Sequence, residues 1–412
     1  MHSDRRESAT KGRPEAVGHG PSASAPFSFN RLGPFYRLQR RLGLMSDTDL
    51  RALPRGLTFT AIAWLPALLL AALQGFALNE HHARAIVFYF SVYAFVISIA
   101  AFVLMEQTSD QRMAWLLGQF AAFGIVPESA RESFVQARRA MEWRTESRLA
   151  EGAILAAAYL LAYTWIARNA ARVDGGTWAG QMQDGSLVLT LAGWWAVLVA
   201  LPLFWFLLGR WLWRFVVWGR LLRDITGCDL RLVATHPDRC GGLAFVGQYP
   251  KSYVLFVFAL SSVAAAGVLK HVVYAGASLM SFKFALLGMV VFFSVAFVLP
   301  LLAFAPVLKA LKQRGLSRYG ALASEHNLAF EARWLEVAPP EREPSPLGSP
   351  DVSSLADLAA GYELVKGMRP LPVTMESVVP LVLAAVVPLA AVALTQAPFK
   401  EILGAVRGLL LL

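Results

Sequence analysis

Apolar residues run along this chain in long unbroken stretches, not in the alternation of a half-buried strand or the stripe of a surface helix. Residues 57–78 (LTFTAIAWLPALLLAALQGFAL) hold no charge, and further runs follow at 83–105, 152–167, 187–208, 253–269, 284–308 and 377–395. A helix needs roughly 20 mostly apolar residues to cross about 30 Å of hydrocarbon. No water pairs the backbone inside that layer, so each run must close its own amide bonds as a helix. The pattern predicts an all-α integral membrane protein with seven transmembrane helices.

Polar segments separate the runs and give the organisation. Residues 1–34 read as a disordered basic tail and 35–56 as a juxtamembrane segment, followed by the first two spans (57–105). A cytoplasmic helical connection (106–151), spans three and four (152–208), a cytoplasmic connection (209–252) and spans five and six (253–308) come next. A cytoplasmic helical region with a Pro-rich linker (309–376), span seven (377–395) and an interfacial tail (396–412) complete the chain. No cleavable signal peptide is visible, so the first span is expected to serve as its own insertion signal.

Charge orients these spans. Of 38 Lys and Arg residues, 31 fall on one side of this arrangement and 7 on the other. Cationic loops stay cytoplasmic, which places the N-terminus inside. The net charge of +10 then reflects attraction to anionic lipid headgroups and not nucleic-acid binding. Arg210 and Arg214 are expected to snorkel to phosphates. Six of the twelve tryptophans lie between 194 and 218 and are expected to anchor at the headgroup level. Glu106, at the inner edge of span two, needs no task on this reading. No Asp, Glu, Lys or Arg lies near the middle of a predicted span, which argues against a proton-coupled carrier.

The cytoplasmic segments are predicted to be helical. Pro127 opens a helix over 128–151. Another covers 309–337, interrupted near Gly315 and Gly320. Asp351 caps a third, whose Leu355, Leu358, Tyr362, Val365 and Met368 share one face.

Candidate chemistry concentrates in Asp229–Gly247, DLRLVATHPDRCGGLAFVG. A β-prone stretch, Leu230 to Val233, leads into a tight turn. There His236, Asp238, Arg239, Gly241 and Gly242 form either a ligand site or a structural turn. An anion could sit on Arg239 and the glycine amides. Cys228, His236 and Cys240 are zinc-type ligands, but C-x7-H-x3-C matches no common zinc spacing. His236 could act as an acid or base, without an evident nucleophile beside it. Pro, Gly and Asp together equally serve turn geometry alone. Pro300, Pro306, Pro380 and Pro388 mark kinks or gates in spans six and seven. No cofactor is implied.

The THPDR-x-GG run, the later DVSSLADL segment (Asp351–Leu358) and Met368-Arg369 resemble segments of uncharacterised bacterial polytopic inner-membrane proteins. The likeness covers the C-terminal half. Cys240 stands where those proteins have a small residue such as Ala. The resemblance implies a multi-pass protein of the bacterial inner (cytoplasmic) membrane and no particular activity.

Two function classes follow. The first is a channel-like or uniporter-like conduit, gated at the proline-bent spans. The second is a membrane-embedded sensor or scaffold, whose cytoplasmic helices bind a protein partner or a second copy of the chain. An enzyme centred on His236 comes third.

Overall fold

A computed structural model describes residues 28, 30–46, 50–76, 86–170, 177–184, 186–336 and 350–394. Among the described residues the fold is all-α apart from one short hairpin. The helices are α1 (Pro34–Arg41), α2 (Ala52–Leu73), α3 (Phe90–Ala122), α4 (Arg131–Thr145), α5 (Arg148–Ala170) and, after the hairpin, α6 (Leu191–Trp195). Then follow α7 (Leu201–Thr226), α8 (Val254–Ala275), α9 (Lys283–Val298), α10 (Ala305–Trp334), α11 (Pro350–Lys366) and α12 (Met375–Leu394). Among the described residues, seven helical runs are long and apolar enough to cross a membrane, which makes this a multi-pass membrane protein.

Several boundaries differ from the sequence reading. The hairpin, β1 (Gly180–Gln183) with β2 (Ser186–Leu189), pairs Gly180 with Leu189. Span four therefore starts at Leu191, not 187, and one π turn (Ala196–Ala200) joins α6 to α7. Helix α3 runs on to Ala122, so Glu106 sits at its midpoint instead of at its end. The 128–151 helix is broken between Thr145 and Arg148, and its last residues open α5. Leu230 to Val233 form no strand. Helix α10 passes unbroken through Gly315 and Gly320. Those glycines admit α11 instead: a Cβ on Gly315 would stand 2.8 Å from Val365 Cγ1. Val365 and Met368 are buried there, with Leu355, Leu358 and Tyr362 on the same half-buried face, as the periodicity predicts.

The span-six prolines sit where the helix pattern changes. Pro300 lies in a 3-10 turn (Leu299–Phe304) between α9 and α10, and Pro306 opens α10. Pro66, Pro380 and Pro388 lie inside helices. His81, His82, the Pro-rich linker 337–349 and the tail 395–412 lie outside the described residues.

Large side chains fill the bundle centre. Phe102 meets Phe204 and Phe256 at 5.9 and 5.6 Å between ring centroids, and Tyr253 stacks on Phe297 at 4.7 Å. Ser98 Oγ donates to Ala259 O at 2.9 Å and Ser261 Oγ to Ala385 O, so polar span residues bond neighbouring helices. Such pairing is how helices in lipid compensate small polar groups.

Candidate functional site

Two clusters hold the chemistry-bearing side chains. The first is the turn singled out by sequence. Asp238 is its centre. Its Oδ1 accepts from the Cys240 amide (2.7 Å) and the Gly242 amide (3.1 Å), and its Oδ2 from the Ala244 amide (3.0 Å). His236 Nδ1 lies 2.9 Å from Oδ1. The chain folds back this tightly because Arg239, Gly241 and Gly242 all take positive φ, at 58°, 66° and 97°. Burial alone would raise the Asp238 carboxyl, but the Ala244, Cys240 and Gly242 amides and His236 hold it below its ordinary value. A carboxylate accepting several amides is favoured in its charged form.

The turn grips the segment after α11. Arg369 N donates to Arg239 O (2.8 Å), and Arg369 Nη2 donates to Asp238 O (3.2 Å). A Cβ on Gly247 would stand 1.8 Å from Pro372 O, so only glycine fits that approach. Lys312 Nζ donates to Met368 O (2.8 Å), tying α10 to the same segment. The turn therefore locks the foot of the α10–α11 hairpin to the start of α8.

These contacts weigh on the ligand readings. The Gly242 amide proposed to cradle an anion is already engaged by Asp238. Cys228 Sγ faces Asp224 O, while Cys240 Sγ, fully buried, faces Leu371 O. Burial pushes the Cys240 thiol up, away from the thiolate a metal requires. Among the described residues no group of three His, Cys, Asp or Glu side chains is placed to hold a metal ion, so Cys228, His236 and Cys240 are not brought together as ligands.

The second cluster escaped the sequence reading. Glu106 is 3% exposed and faces three arginines. Its Oε2 pairs with Arg55, and its Oε1 lies 3.2 Å from Arg214 and 3.5 Å from Arg210. Arg210 Nε also reaches Glu151 Oε1 at 3.6 Å, and its guanidinium lies 4.6 Å from the Phe35 ring centroid. Arg210 and Arg214 are 4% and 2% exposed, so they do not snorkel to lipid phosphate as expected. Their helix face packs inward. Trp211 and Trp218, each 1% exposed, likewise leave the anchoring role; Trp211 Nε1 donates to Phe102 O at 3.0 Å. Exposed Trp194 keeps the surface position expected of an anchor.

The chain ahead of α1 enters this cluster too. Asn30 is buried, and its Nδ2 donates to Glu106 O (2.7 Å) and Asp110 Oδ1 (2.7 Å). Ser28 Oγ donates to Asp110 Oδ2. Phe35 N donates to Glu151 Oε2 (2.9 Å), and Gly33, at φ 99°, leaves room for that carboxylate. Residues 28 and 30–34 therefore belong to the bundle and not to a tail; residues 1–27 lie outside the described residues. The arginine spacing i, i+4 in α7 and the lone Glu106 were visible in the sequence. Their meeting depends on helix packing.

The chain matches no family model, no curated protein and no solved structure in the comparisons made.

Proposed function

We propose that the protein is a membrane-embedded scaffold that presents the α10–α11 hairpin to a protein partner on the cation-rich side, the cytoplasmic side of a bacterial inner membrane. The carrying observation is the lock at the hairpin foot. The main-chain oxygens of Asp238 and Arg239, which accept from Arg369, and the close approach of Gly247 to Pro372 join the hairpin to the bundle. A hairpin held so firmly is suited to transmit position. Beyond the foot, Leu322 and Leu328 on α10 are 50% and 68% exposed. Exposed leucines along a polar helix are the anchors that helix-based recognition uses.

The test is photo-crosslinking in cells from probes at Leu322 and Leu328. One discrete adduct, lost in Leu328→Asp while the protein still inserts, supports the scaffold. Adducts to lipid alone, or a smear unaffected by Leu328→Asp, would contradict it.

The conduit is a second reading, and one observation favours it. Buried ionisable groups in membrane proteins often mark ion pathways, and Glu106 is one. Liposome flux abolished by Glu106→Gln in protein that remains folded would favour the conduit. The aromatic packing between Phe102, Phe204, Phe256 and Phe297 supports the scaffold over it.

A further inference from the structure

A groove of about 420 Å³ runs between the 229–234 segment and α10. Its walls touch at Gly315, where a Cβ would meet Ala234 Cβ at 3.0 Å, and at Gly241, where one would meet Leu311 Cδ2 at 2.9 Å. Arg231, Arg314 and Arg318 line it, with Tyr319. Asp229 is the acidic lining residue. Among the described residues, none of the three arginines has a carboxylate partner within ion-pair distance. By contrast, Arg55, Arg144, Arg210 and Arg214 all have one. The groove thus lines up three cations against one carboxylate and is net positive.

Its two ends differ in polarity. Val307 and Leu311 line the end nearest span six, and Arg314 and Arg318 follow on the same helix face. At 1.5 Å of rise per residue, Val307 and Arg318 lie roughly 16 Å apart along the axis. The α10 wall therefore grades from apolar at the membrane-proximal end to cationic at the far end. The Arg231 amide donates to Ile125 O at 2.8 Å, which ties its backbone to the segment after α3.

We propose that this groove binds a phosphate-bearing ligand, with the phosphate between Arg231, Arg314 and Arg318 and an apolar portion along Val307 and Leu311. Guanidinium groups suit phosphate because they present paired donors in one plane. The proposal does not depend on the scaffold reading. The apolar end fits an anionic phospholipid, whereas a soluble phosphate compound would use the arginines alone.

The test uses the full chain, purified and delipidated in detergent. Binding of phosphatidylglycerol, with phosphatidylcholine as the zwitterionic control, is read by native mass spectrometry. Inorganic pyrophosphate is titrated separately by calorimetry. Arg318→Gln is expected to weaken binding about fivefold. The Arg231→Gln/Arg314→Gln/Arg318→Gln triple variant should abolish it. Arg139→Gln, an exposed arginine on α4, serves as the control for net charge. Binding of phosphatidylglycerol that shows this dependence makes the ligand a lipid headgroup. The same dependence with pyrophosphate alone makes it a soluble phosphate. The proposal is overturned if neither probe binds, or if Arg318→Gln weakens binding no more than Arg139→Gln. It is overturned equally if the triple variant melts with the wild-type protein and binds both probes unchanged.

Discussion

Asp238 shows how one side chain can define a turn. Three backbone amides and an imidazole converge on its carboxylate. Because its carboxyl is held below the ordinary value, its stabilisation is complete above the unfolded carboxyl value of about 4 and fades as pH falls through the lower folded value. The stability gap between wild-type protein and Asp238→Asn is therefore expected to be constant near neutrality and to shrink only in acid below about pH 4. Thermal melts across that range check it. A gap that stays unchanged into strong acid would show that the charge of Asp238 contributes nothing.

At the scale of elements, the buried ionic cluster joins the segment before α1 to α2, α3, α5 and α7. Removing one partner of a buried ion pair leaves uncompensated charge and typically costs about 3–5 kcal/mol. Glu106→Gln, which removes the carboxylate paired with Arg55 and Arg214 and leaves Arg210 with Glu151 alone, should fall in that range. Arg139→Gln on the exposed face should stay within about 0.5 kcal/mol. Melting followed by tryptophan fluorescence separates these outcomes, and equal effects would remove the cluster from any structural role. The same cluster marks the limit of what sequence conveys. Seven apolar runs are legible because the bilayer imposes length and composition on each span separately. The α11 face from Leu355 to Met368 is legible because a 3.6-residue period is local. The inward turn of Arg210, Arg214, Trp211 and Trp218 is not, because which side of α7 meets α3 and α5 is a property of the packed bundle. Asn30 reads as tail from sequence for the same reason: its partners Glu106 and Asp110 lie far along the chain. In the turn, the glycines and Asp238 were legible as geometry. Their grip on Arg369 and Pro372 was not.

For the whole molecule, the consequence is a helical bundle with the α10–α11 hairpin clamped to it. Among the described residues the hairpin is held at both feet: α10 continues from span six, and the segment after α11 is clamped by the Asp238 turn before entering α12. Either alone would leave the hairpin a hinge, since α10 begins after a 3-10 turn at Pro300. A lever held at both feet reports any shift of α8 or α12 at its tip, which is what the scaffold reading needs. The measurement that bears on this most directly is the distance between spin labels placed by Leu328→Cys at the hairpin and Trp143→Cys on α4, two exposed positions. Cys228 and Cys240 are buried and stay unlabelled. Pulsed electron resonance in lipid nanodiscs should give one narrow distance distribution in the otherwise wild-type chain. The distribution should broaden when Gly247→Ala drives a methyl into Pro372. A broad distribution before that substitution, or no change after it in a protein that remains folded, would contradict the clamp and the scaffold built on it.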